Sequence, residues 1–98
     1  MPARALMVNL TVNVFQDGHQ WVAYTPSLDL STCGHTIKEA QKNFEEAVDL
    51  FLEGCARKGT LDAVLKSCGW VRTSRPVPHY EPPRSYTTNQ PISIPIPA

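Results

Sequence analysis

The chain opens on alternation. Leu6, Val8, Leu10, Val12 and Val14 fall on one side, and Asn9, Thr11 and Asn13 on the other. A period of two from Leu6 to Phe15 predicts a half-buried strand. "QDGH" follows, and its Asp17-Gly18 step predicts a hairpin turn, because glycine takes positive φ at no steric cost. Trp21 to Thr25, aromatic and β-branched, predicts the return strand, which Pro26 ends. Leu30 to Cys33 predicts a short third strand and completes an antiparallel meander.

The period then changes to 3.6. Ile37, Ala40, Phe44, Ala47, Val48, Phe51 and Cys55 share one helical stripe, suited to covering the apolar face of the sheet. Thr36 and Glu39 form a T-x-x-E capping box at its start. Arg57 and Lys58 suit the negative end and Gly59 the stop, so the pattern predicts a helix over 37–58. Thr60 predicts the cap of a second, short helix, Leu61 to Ser67, ended by Gly69. Leu61, Val64, Leu65 and Trp70 would dock it onto the domain.

From Val71 onward the periodicity disappears, and seven of the nine prolines follow. Residues 1–70 therefore read as one folded domain and 71–98 as a proline-rich extended arm. The closing "PISIPIPA" sets Ile92, Ile94 and Ile96 between Pro91, Ser93, Pro95 and Pro97. In a strand those prolines remove donors from one edge only. This predicts an edge strand that pairs on one side, in its own sheet or in a sister subunit's.

Charge narrows the function. Nine Lys and Arg balance nine Asp and Glu. Unaided nucleic-acid binding is usually marked by a basic excess, because phosphate contacts supply most non-specific affinity. No run of about 18–20 apolar residues is present to span a membrane, and the first residues lack a secretory pattern. Three scattered cysteines without C-x-x-C read as inert, buried thiols of a reducing, cytoplasmic compartment.

Candidate chemistry is sparse. Metal-dependent nuclease work needs several converging carboxylates, and the first strand carries only Asn, Thr and apolar residues. Asp17 and Asp29 are the two acids a residual hydrolase would draw on. Cys33 beside His35 invites a nucleophilic reading, but Gly34 stands between them and predicts a break. His19, His35 and His79 make no metal-ligand spacing, so neither a metal nor a cofactor is expected. The long helix is more informative. Glu39, Lys42, Glu46, Asp49 and Glu53 cluster within about 80° at the helical repeat, opposite the core stripe. Asp49 and Glu53 are like-charged at i, i+4 near the negative end, which costs a few tenths of a kcal/mol. A solvated face explains this, and so does a ridge that steers a basic partner. Leu50 and Gly54, outside the stripe, fit a close contact with another element, the tail or a second subunit, and ordinary variation of the core explains them as well.

The order of these pieces resembles the HicB family of antitoxins over Val8 to Trp70. The residues that carry it are Trp21-x-Ala23-Tyr24, Pro26-x-Leu28-Asp29-Leu30, Gly34-x-Thr36, Glu39-Ala40 and Glu46 to Glu53. The resemblance implies an α+β fold, β-β-β-α-(α)-β, described as a partial ribonuclease-H-like unit with one long helix on a small, mainly antiparallel sheet. It implies no enzyme activity, homodimerisation, and a partner, the small basic HicA toxin that cuts messenger RNA, whose active site the antitoxin covers. Glu39, Glu46, Asp49 and Glu53 would face that partner, and Ile92, Ile94 and Ile96 would form an oligomer arm. Many members add a C-terminal DNA-binding module. The proline-rich tail leaves no room for one here, which makes direct DNA binding doubtful. The alternatives are an orphan scaffold of the same fold and, less well supported, the residual hydrolase.

Overall fold

The computed structural model describes residues 7–97. Strands β1 (Asn13–Asp17), β2 (Gln20–Thr25) and β3 (Leu30–Gly34) form an antiparallel sheet in the order β1-β2-β3. Helix α1 (Ile37–Lys58) covers one face, and the short α2 (Leu61–Ser67) follows it. Strands β4 (Val71–Thr73) and β5 (His79–Glu81) make a separate two-stranded sheet. The class is α+β, with a three-stranded antiparallel sheet under one long helix.

Local signals set both helices. Thr36 Oγ1 accepts the Glu39 N–H at 3.0 Å, as the capping box predicts. The Glu39 carboxylate reaches one residue further back than expected and accepts the His35 N–H at 3.1 Å. At the other end Gly59 stands at φ 74. Its N–H bonds Ala56 O at 3.2 Å while Thr60 N–H bonds Cys55 O at 2.9 Å, which is a Schellman motif. Thr60 does not cap α2 with its side chain. Its hydroxyl donates to the orphan Cys55 carbonyl at 3.3 Å instead.

The strands depart further from expectation. Regular pairing begins at Asn13, well after Met7, because β2 offers only six residues to pair with. Leu10 and Val12 still pack toward α1 without a ladder of their own. Leu6, the predicted first strand residue, lies outside the described residues. The hairpin closes on Asp17↔Gln20, so its two central residues are Gly18 and His19, one step later than predicted. Gly18 stands at φ 63 and His19 does not take positive φ, the II′ arrangement.

Two clusters make the core, joined through Leu10 and Val48. Ala23, Ala40 and Phe44 anchor one, and Leu28, Leu65 and Trp70 the other. The stretch Pro26 to Leu30 links them. Ser27 and Leu28 are buried, and the Ser27 carbonyl accepts the Trp70 indole N–H at 2.8 Å across 43 residues. Asp29 takes φ 50 and accepts the Tyr24 hydroxyl at 3.0 Å. That bond to a carboxylate holds the Tyr24 phenol above its ordinary pKa.

Packed structure continues past Trp70. Tyr80, on β5, donates its hydroxyl to Asp62 of α2 at 2.9 Å. The Asp62 carboxylate is approached by Lys66 at 3.1 Å and by Arg72 at 4.0 Å, and the Arg72 guanidinium lies 5.8 Å from the Tyr80 ring centre. The Lys66 and Tyr80 bonds hold the Asp62 carboxyl below its ordinary pKa. Burial, reinforced by Asp62, raises that of Tyr80. The tail then passes back beside the start of the chain, where Ser85 Oγ and Thr11 Oγ1 meet at 2.7 Å. Beyond Glu81 no described residue has regular secondary structure, so the predicted closing strand adds to no sheet within the chain. Its hydrogen-bonding edge has no partner strand there, and Ile92, Ile94 and Ile96 remain 79%, 72% and 89% exposed.

Candidate functional site

The outer face of α1 is held in place by β3. Gly34 makes this possible: a Cβ there would stand 2.6 Å from Ala40 N and 2.9 Å from Glu39 C, inside any real contact distance. Two side-chain bonds secure the close approach. Thr32 Oγ1 donates to Ala40 O at 3.3 Å, and Asn43 Nδ2 donates to Cys33 O at 2.9 Å. Strand and first helical turns are thus fixed together, and with them the rotation of α1 about its axis. Ala40 and Phe44 point inward, so Lys42, Glu46, Asp49 and Glu53 point to solvent.

The predicted ridge therefore exists as an exposed face, but its members differ in role. Glu39 is committed to the cap through His35 N–H. Glu53 shares Arg57 at 3.7 Å, an open i, i+4 pair of little energetic weight. Glu46 and Asp49 have no salt-bridge partner among the described residues. Glu45, also exposed, flanks them and was missed because it falls between the core stripe and the ridge.

Leu50 changes the character of the face. No described element of the chain covers it: it is 68% exposed, and a Cβ on Gly54 would meet nothing within 4 Å, so the tail does not make the contact. On a helix Leu50 is the i+4 neighbour of Glu46 and lies three positions before Glu53. The result is an exposed apolar side chain bordered on one side by carboxylates, with Ala47 and Gly54 on its other side. Its signal was present in the sequence as an apolar residue outside the stripe.

The other sequence candidates separate in space. Cys33 is exposed on the sheet face away from α1, while Cys55 and Cys68 are half-buried, so the cysteines are not the buried thiols expected. The apolar look of Cys33 misled, because Leu30, Thr32 and Gly34 are the β3 residues that turn toward α1. Asp17 and Asp29 sit at opposite ends of the six-residue β2, roughly 20 Å apart, with Asp29 bonded to Tyr24. Among the described residues no three His, Cys, Asp or Glu side chains converge. No described helix is long and apolar enough to cross a membrane. No protein-family model, curated protein or solved structure matches the chain.

Proposed function

We propose that this protein is a HicB-like antitoxin that binds a small, basic, RNA-cleaving toxin of the HicA type and occludes its RNA groove, with no chemistry of its own. The observation that carries this reading is the solvent-facing patch on α1, with Glu46, Asp49 and Glu53 in one acidic ridge and Leu50 at its edge. A groove that binds RNA must be positive. Unpaired carboxylates would steer it and compete with phosphate, and the leucine would supply desolvated contact. The order of three antiparallel strands followed by a long helix supports a partial ribonuclease-H-like unit. Action in the cytoplasm and assembly as a homodimer or higher oligomer belong to the same proposal.

Co-expression with the small basic protein encoded beside it should restore growth and give a stable complex. In that complex Glu46→Lys with Asp49→Lys should slow association steeply at low salt, and Leu50→Ala should speed dissociation about tenfold. Absence of any adjacent or co-purifying basic protein removes the proposal. A second reading, a self-associating scaffold, is favoured by the three exposed isoleucines of the arm. A stable oligomer that ignores every such toxin would select it.

A further inference from the structure

The arm ends in a segment with strand-like alternation, one usable edge and, among the described residues, no sheet to join. In an extended chain the amides of Ile92, Ile94 and Ile96 point to one side, and those of Pro91, Ser93, Pro95 and Pro97 to the other. The first side keeps every donor, and the second keeps only that of Ser93. Such a strand adds to a sheet once and ends it. The arm also stands away from the body. The long axis is 62 Å against 27 and 22 Å, and the Cα radius of gyration is 16.6 Å, where a compact chain of this length has about 13 Å.

The body offers a matching edge. Its hairpin closes on Asp17↔Gln20, which makes that pair hydrogen-bonded, and alternate pairs along the ladder repeat it. Asn13, Phe15 and Asp17 thus turn their amides to β2, and Val14 and Gln16 turn theirs to the outer edge. The same parity carried across β2 turns Cys33 outward on β3, which agrees with its carbonyl accepting Asn43 Nδ2 at 2.9 Å. The β3 edge is therefore partly occupied. The β1 edge has no neighbouring strand among the described residues and carries no proline or lysine to blunt it.

Geometry then fixes the side chains. Residues opposite one another in a sheet share a face. A strand bonded antiparallel through the isoleucine amides to Val14 and Gln16 places its isoleucines directly opposite them, on the face of Val14; a parallel strand would place them on the face of Phe15. That is the face under α1, where Val12 and Val14 are only half-buried at the open flank of the first core cluster. The one edge of the arm that can bond is the one that sends its apolar side chains into the core.

We infer that the arm of a second copy of this chain docks antiparallel on the outer edge of β1, so that two copies exchange arms in a two-fold dimer. The second copy is the occupant because each chain's own isoleucines project into solvent, and because one chain supplies both the strand and the edge, as a self-complementary interface requires. Seven arm residues and five of β1 give 12 residues a side, against about 20–30 for a stable interface of standard size. The dimer should therefore dissociate in the micromolar range. This inference deepens the homodimer of the proposed function and rests on that part of it, but not on a toxin partner, so the failure of either is seen separately.

Light scattering and sedimentation of the full chain, from about 1 to 300 μM, test it. The expected result is a monomer–dimer equilibrium that vanishes in a chain ending at Asn89 with unchanged circular dichroism. Ser93→Pro, on the blunt edge, should leave the dimer within about twofold. Ile94→Pro should weaken it about tenfold or more, since each net hydrogen bond is worth a factor of about two to twelve and the dimer loses one per arm. Val14→Pro, which removes a donor of the receiving edge, should act like Ile94→Pro. A monomer throughout the range overturns the inference, as does a dimer that survives truncation. So does equal loss from Ser93→Pro and Ile94→Pro, or an arm whose amides exchange slowly in a proven monomer.

Discussion

Gly34→Ala tests whether the strand–helix joint is as tight as its geometry requires. The added methyl would lie 2.6 Å from Ala40 N, 2.9 Å from Glu39 C and 3.0 Å from Glu39 Cβ. Two of these atoms are backbone, at the start of a capped helix, so no flexible side chain can swing aside. The first turn of α1 must lift from β3. Overpacking of this kind costs about 1–3 kcal/mol. Lifting also stretches the Thr32–Ala40 and Asn43–Cys33 bonds, each worth about 1 kcal/mol net. The sum is about 3–5 kcal/mol, a large part of the roughly 5–15 kcal/mol that holds a domain together. Urea unfolding followed by circular dichroism reads it directly. With a slope near 1–1.5 kcal/mol/M for a chain of this size, the midpoint should fall by about 2 M or more. Gly54→Ala is the internal control. It sits within α1 with nothing within 4 Å of an added Cβ, so it should stabilise by about 0.5–1 kcal/mol. A Gly34→Ala midpoint within experimental error of the parent would refute the close-approach argument.

Other consequences are separately measurable. Trp70→Phe leaves the buried Ser27 carbonyl without its donor and should cost about 1–3 kcal/mol in the same unfolding assay. The β4–β5 hairpin should loosen at both ends of the pH scale, as amide exchange of residues 71–81 would show. Asp62 has a folded pKa below its ordinary 3.8. Its contribution is complete well above that value, shrinks as pH falls past it, and is gone below the folded value. Tyr80 has a folded pKa above 10.0, so its contribution is present below pH 10.0 and disappears as pH rises through the folded value. Asp62→Asn should remove the acid limb of this profile, and an unchanged limb would show that the Lys66–Tyr80 cluster does not hold the hairpin. Glu46→Gln with Asp49→Gln should leave unfolding unchanged within about 0.5 kcal/mol, because neither carboxylate has a salt-bridge partner among the described residues.

The sequence by itself determined whatever is settled within a few residues. Both helices run over the residues predicted, 37–58 and 61–67; the Thr60 side chain does not cap α2, but for α1 the reason is local, a Thr36 cap and a Gly59 stop. Strands β2 and β3 are close to prediction for the same reason, bounded by a tight turn and by Pro26. The acidic face of α1 was also legible, since helical spacing alone puts Glu46, Asp49 and Glu53 together. What depends on a partner far along the chain was not. The alternation from Leu6 does not disclose that the ladder starts at Asn13, because the length of β2 decides it. A period of two cannot say which face of β3 the helix covers, so Cys33 came out exposed. Strands of three residues around prolines give no period at all, and the β4–β5 hairpin is located by the Tyr80–Asp62 bond across 18 residues. Tertiary structure likewise decided that Leu50 faces water and that the isoleucine segment joins no edge among the described residues, since exposure depends on what the rest of the fold leaves uncovered.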